Sequence, residues 1–204
     1  MRLWLGLAVA AAVVSITGCG SGGSSPPAVV SVSISPQTVI LRAGDSQRFF
    51  ATVSGAADFS VIWSVNGKPG GDPTVGTIDS LGNYTAPTPA PAQNNVQIKA
   101  TSVADSSKSA SSQATLLNPI AVVYLFSPPT LTPNAPFSLS VTGTKFINGA
   151  QVMFGATPVA TTFIDSSHLS LNGTAPSAGV VTVTVVNPVP DGSASVPKTP
   201  PLEA

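Results

Sequence analysis

Charge is the scarcest property of this chain. Of its 204 residues only 8% are Asp, Glu, Lys or Arg, eight of each sign. So sparse and balanced a set gives no electrostatic hold on DNA, RNA or an anionic lipid surface. Histidine occurs once, as His168, and cysteine once, as Cys19. One of each cannot build a His/Cys metal site, and a lone thiol closes no disulfide within the chain. A triad using His168 and Asp165 would need a serine elbow, and no Gly-x-Ser-x-Gly occurs. The acids are seven Asp and Glu203, scattered rather than paired as glycosidase chemistry needs. Asp58, Asp72 and Asp79 stand in or near turns, without the regular acidic spacing of a calcium loop. Asn83-Tyr84-Thr85 and Asn172-Gly173-Thr174 fit the glycosylation sequon but read most simply as turns. No catalytic, cofactor or metal site is expected, and no nucleic-acid partner.

Helical spacing of apolar residues is absent too. What remains is Ser, Thr, Pro, Gly, Val and Ala, the vocabulary of short strands and turns. The exception is the N-terminus. Arg2 precedes an uncharged apolar run, Leu3 to Val14, too short for a comfortable permanent span of a bilayer. Ile16-Thr17-Gly18-Cys19 then resembles a bacterial lipobox, where a prolipoprotein is acylated on cysteine and cut just before it. The resemblance implies a signal peptide over residues 1–18 and a mature chain that begins at Cys19, exported and held to a membrane by that residue. Two acyl chains on the glycerol and one on the amine would hold firmly, whereas one alone binds marginally. Gly20 follows, with no Asp beside the cysteine; by resemblance to enterobacterial sorting this favours the outer membrane or cell surface. Residues 19–27, rich in Gly, Ser and Pro, read as a flexible tether. The eight residues after Cys19 would span on the order of 15 Å.

The 186 residues left after removal of 1–18 suffice for two small domains. In the first, Val30 to Ser35 alternates apolar and serine strictly, the mark of a half-buried strand ended by Pro36. Phe49, Ala51 and Val53 share a face, as do Val61, Trp63 and Val65, before an Asn66-Gly67 turn. Val96, Ile98 and Ala100 form a further strand, and Ala110 to Leu116 closes the unit. Seven or so short strands predict an antiparallel sandwich. Ser35-Pro36, Leu41-Arg42-Ala43-Gly44, Phe49 to Val53, Trp63 to Gly67, Gly76 to Asp79, Gly82 to Pro87 and Ala100 to Ser102 together resemble a Big-2-type bacterial immunoglobulin-like repeat. That resemblance implies a Trp63 packed between sheets, a Tyr84 near a strand corner, and a stalk or adhesive role.

Asn118-Pro119 marks a boundary, and the join is too short for free swinging. Beyond it Val122 to Phe126, Phe137 to Val141, Val152 with Phe154, Leu169 with Leu171, and Val181 to Val185 read as strands. His168 falls on a polar face with Ser170 and Asn172 and reads as inert. Gly143 to Gly155 resembles the core motif of an IPT/TIG domain, completed by Ser127-Pro128 upstream and Val183 to Pro188 downstream. Gly143 and Gly149 are expected to make tight turns, Phe146 to plug the core between them, and Val152 and Phe154 to face inward. A final apolar strand is missing: Ser193 to Ala204 carries Pro197, Pro200 and Pro201. Either Ala194 to Val196 makes a minimal edge strand, or the chain is part of something longer.

The expected fold is therefore all-β: two tandem immunoglobulin-like β-sandwiches, residues 28–117 and 119–196, after a leader and tether, with 197–204 a proline-rich tail. The expected structural residues are Trp63, Tyr84, Phe146 and Phe154; the expected modification is lipidation of Cys19. The expected role is a non-catalytic surface module, adhesive, binding or spacer, with a protein or carbohydrate ligand left open. The alternative is an accessory N-terminal region of a larger surface enzyme acting on polysaccharide.

Overall fold

The computed structural model describes residues 29–177 and 181–198. The leader, Cys19, the tether and the last six residues lie outside that range. The first unit contains β1 (Ser31–Ser35), β2 (Thr38–Arg42), β3 (Ser46–Arg48), β4 (Phe50–Ser54), β5 (Val61–Val65), β6 (Lys68–Pro69), β7 (Gly71–Asp72), β8 (Gly76–Ile78), β9 (Asn83–Thr85), β10 (Asn95–Ser102) and β11 (Ser109–Leu117). One layer runs β2-β11-β10-β5-β6; the other is made of β1-β4 and β3-β9-β8-β7. β1 pairs antiparallel with β4, the chain changes sheets at Pro36, and β2 then runs parallel to β11. β3 and β4 are one strand interrupted at Phe49, whose N–H bonds the Gly82 oxygen instead of a ladder partner. The alternation seen in the sequence has its physical counterpart in the core: Ile34, Phe49, Trp63, Val65, Tyr84, Ile98 and Leu116 are buried between the layers.

The second unit contains β12 (Val122–Ser127), β13 (Pro136–Thr144), β14 (Gln151–Phe154), β15 (Thr157–Val159), β16 (Thr161–Asp165), β17 (His168–Thr174) and β18 (Val183–Val186). Its sheets are β12-β13-β17-β16 and β15-β14-β18. Phe146, Leu139, Val152, Leu169, Leu171 and Val185 fill the space between them. The C-terminal segment pairs with β18. Ala194 and Lys198 form antiparallel bridges to Val186 and Val183. The Ser195 N–H bonds the Val185 oxygen, and its buried hydroxyl accepts the Val185 N–H. Pro197, with no N–H to donate, falls between the paired Ser195 and Lys198. Pairing thus runs on past residue 196.

Gly143 is a correction. It makes no turn but lies inside β13. A Cβ there would run into the Val122 oxygen and the Phe146 ring, so glycine is required by close packing. Gly149, at φ +92°, does make the expected turn. The two sequon asparagines are corrections as well: Asn83 opens β9 and Asn172 lies within β17.

The sandwiches meet through a polar lock. Asn118, buried, accepts the Ala90 N–H of the first unit and donates to the Pro188 oxygen of the second, while its own N–H bonds the Pro190 oxygen. Asn187, also buried, donates to the Pro119 and Lys145 oxygens and accepts the Ile147 N–H. Arg42 reaches from β2 to the Asn118 oxygen and the Asp191 carboxylate. The join is therefore ordered by hydrogen bonds that free rotation would break.

Strand direction fixes the poles. The chain enters the first sandwich beside the Ser31–Ser54 pair, and β2 and β11 end together at the lock. In the second sandwich Pro119, Lys145 and Asn187 gather at the lock, while Pro136, Phe154 and Thr174 end at the opposite pole. The nine-residue strands β11 and β13 each rise about 30 Å at ~3.4 Å per residue, so the pair reaches on the order of 6 nm. The described residues form two tandem immunoglobulin-like β-sandwiches, all-β and without a helix.

Candidate functional site

At the pole farthest from the point of chain entrance the two sheets of the second sandwich part around an open cleft of about 640 Å³. Phe154 and Gly155 of the β14–β15 turn form one wall, with Thr157 to Ala160 along β15. Asn172 to Thr174 of β17 form another, and Pro176, Val181 and Thr182 complete it. Every lining side chain is neutral. Phe154, half-buried, stacks on Phe137 with centroids 5.7 Å apart and planes 20° from parallel. Gly173 sits directly across from Phe137 in the ladder, and a Cβ there would come within 3.3 Å of the ring. A glycine inside a strand weakens it and marks a close approach; here it lets the Phe137 ring lie flat beneath β17. The side chains of Thr157, Asn172, Thr174 and Thr182 are exposed and bond no other side chain or backbone group among the described residues. Among the described residues the cleft therefore presents an apolar ring edge, four polar side chains and no titratable group.

Of the four residues expected to be structural, only one lies at the cleft, beside the sequon Asn172-Gly173-Thr174. Trp63 is 6% exposed, its ring against Gly82. Tyr84 is fully buried, edge-on to Phe49 at 6.4 Å, and its hydroxyl donates to the Val75 oxygen at 2.6 Å. Burial pushes its phenol up to about 12. Phe146 is buried against Gly143. Phe154 alone of the four reaches the cleft. Cys19 lies outside the described residues.

His168 is exposed at the start of β17, in the β16–β17 hairpin. Its Nδ1 lies 3.0 Å from both Asp165 oxygens and 2.9 Å from the Ser167 hydroxyl. A catalytic relay needs the acid on one ring nitrogen and the nucleophile on the other; here both crowd the same nitrogen. Asp165 is held down to about 2, first by the hydrogen bonds of Ser167 and then by His168. The turn aspartates are likewise occupied by their own loops. Asp58 accepts the Ser60 N–H; Asp79 accepts from Leu81 and Asn83. Asp72 is held well below the usual carboxylate range, first by Lys68 and then by Thr74. Among the described residues no three His, Cys, Asp or Glu side chains gather as a metal would require.

Sequence reasoning missed the distal cleft, because its walls come from separate segments of two different sheets that only the packing of those sheets brings face to face. The one available signal was Gly173, a glycine inside an otherwise alternating strand.

No protein-family model and no curated protein matches the chain. Solved structures that it resembles include a gamma-CGTase from Alkalophilic bacillus clarkii, 16% identical over 62% of this chain and 16% of that one, TM-score 0.34. The plexin A4 extracellular region is 18% identical over 87% and 18%, TM-score 0.35. The SGBP-B of a Bacteroides ovatus mixed-linkage glucan utilization locus, in complex with a mixed-linkage heptasaccharide, is 16% identical over 85% and 47%, TM-score 0.29. The chain spans less than half the length of each of these structures. Likeness at this level carries no functional argument, and the chain is described by its own geometry: two immunoglobulin-like sandwiches locked pole to pole, with a neutral cleft at the free end.

Proposed function

We propose that this protein is a non-catalytic, lipid-anchored surface module that holds the distal cleft away from the membrane as a binding or adhesive tip. One observation carries the reading. The chain enters at one pole of a locked pair of sandwiches, and the cleft opens at the other. A protein tethered through Cys19 in the manner of a bacterial lipoprotein would thus point Phe154, Asn172 and Thr182 outward. The first sandwich, by its Big-2-like pattern, and the second, by its IPT/TIG-like pattern, serve as spacer and head. The anchor places the protein at the outer membrane or cell surface.

The test has two arms. Protease added to whole cells should remove the protein when Cys19 is present, and Cys19→Ala should release it from the membrane fraction. Glycan and protein arrays probed with the native chain and with Asn172→Lys should show a ligand held only by the native chain. Equal binding by both would remove the cleft from the proposal; no binding by either would leave the spacer role alone.

A second reading is favoured by a separate observation. Lys198, the last described residue, pairs with Val183 at the distal pole. Polypeptide continuing there would be carried outward, as an enzyme domain acting on surface polysaccharide needs. Reading the genomic frame downstream of Ala204 tests this: a continuing frame supports it, and a stop followed by an unrelated gene removes it.

A further inference from the structure

The first sandwich exposes seven large apolar side chains, and their distribution is uneven. Only Ile40 lies toward the lock. Val29, Phe50, Phe59, Ile62, Leu81 and Val103 all lie on the half where the chain enters. Three of them form one cluster. Phe59 is 66% exposed, Leu81 65% and Phe50 57%. They rim a shallow cleft of about 430 Å³ whose floor includes Phe49 and Trp63. Arg48 lies 5.0 Å over the Phe50 ring, its cation beside the apolar rim. Aromatic and aliphatic tips flanked by a long cationic side chain are what a lipid headgroup–acyl boundary accommodates. Two of the protein's eight phenylalanines left this open are otherwise unexplained, since the Phe49–Trp63 core beneath them is already closed.

We propose that Phe50, Phe59 and Leu81 form a membrane-contacting face that rests in the interface of the bilayer holding the protein's anchor. This rests on the reading of Cys19 as the lipidated residue. The occupant follows from where the chain comes from. Residues 20–28 separate Cys19 from Val29, a tether of on the order of 15 Å, and it joins this half of the sandwich. The bilayer is therefore the one large apolar phase held permanently within reach. Asp58, Asp79 and Asp105 balance Arg48, Lys99 and Lys108 on the same half, so buried apolar area rather than net charge drives the contact. Its consequence is orientation: anchorage through Cys19 alone does not fix how the sandwiches stand on the membrane, whereas a seated face holds the distal cleft outward.

The sequence supplies its own probe. Trp63 borders the cluster and is the only tryptophan once Trp4 is removed with the leader; Cys19 is the only thiol. The chain from Cys19 onward is coupled through that thiol to maleimide-headgroup lipid in phosphatidylcholine vesicles, with and without bromine near the headgroup end of the acyl chains. The expected result is a loss of Trp63 emission on brominated relative to unbrominated vesicles, unchanged by high salt and abolished in a Phe59→Ser/Leu81→Ser variant of unaltered melting temperature. No quenching in the native chain, equal quenching in the variant, or quenching that salt removes would each overturn the proposal. The artificial anchor keeps this outcome separate from natural acylation, which mass spectrometry of the native protein decides.

Discussion

Arg42 of the first sandwich donates to the Asp191 carboxylate of the second and to the backbone oxygen of Asn118 between them. It is the one ion pair that crosses the lock among the described residues. Both partners are partly exposed, so the pair is worth at most about 1 kcal/mol to folding. Its effect is on geometry. Arg42→Ala should leave the melting temperature nearly unchanged yet broaden the distance distribution in small-angle X-ray scattering. Asp191 is held below the usual carboxylate range, first by the Ser193 hydroxyl and then by Arg42. A depressed carboxyl keeps its contribution above the unfolded value, about 4, and loses it as pH falls through the folded value. Scattering should therefore match at neutral pH and pH 5 and broaden only in stronger acid.

Asn118 and Asn187 carry more. Each is buried and joins backbone groups that would otherwise lose their partners. Replacing either by Ala leaves buried N–H and C=O groups unpaired, at about 1–3 kcal/mol for each such loss. Urea titration should show Asn187→Ala, which breaks three bonds, to be more damaging than Asn118→Ala. A change under about 0.5 kcal/mol in both would mean that the lock is solvent-satisfied.

Long alternating runs were legible because one face of each had to be buried. Val30 to Ser35, Phe137 to Val141 and Leu169 with Leu171 follow the period of two into the structure. β6, β7, β8 and β15 were not legible: at two or three residues they are too short to show a period, and pairing alone defines them. Gly143 misled because glycine signals both turns and close packing, and only the Phe146 ring tells them apart. The sequence leaves Ala194 to Val196 open between a minimal edge strand and no strand, because it counts the prolines around that segment but does not give their register. The distal cleft, hinted at locally only by Gly173, and the Phe50–Phe59–Leu81 cluster are properties of neighbours brought together by the fold.

Tyr84 gives the fold a measurable alkaline limit. Its buried phenol is pushed up to about 12 against an ordinary value near 10. The folded state holds this proton after the unfolded state has lost it, so stability is full below pH 10 and falls as pH rises between 10 and 12. Tyr84→Phe removes the bond to the Val75 oxygen and should cost about 1 kcal/mol at neutral pH. It should also flatten the alkaline decline. Denaturation of both proteins at pH 8, 10 and 11.5 checks this; parallel declines would contradict it.

Among the described residues the Ser112 hydroxyl is buried without a partner. The residue is 1% exposed in β11. An unsatisfied buried hydroxyl costs about 1–3 kcal/mol. Ser112→Ala should therefore raise the urea midpoint, with a gain on the order of 1 kcal/mol after the small void is counted. A lowered midpoint would show that the hydroxyl is paired in solution.

The most direct measurement is mass spectrometry of the N-terminal peptide from the native protein purified out of its own membranes. The result expected is a chain that begins at Cys19, carries diacylglycerol on the thiol and has lost residues 1–18. A free Cys19 thiol, or a chain that still begins at Met1, would contradict a lipid-held stalk with its cleft turned outward.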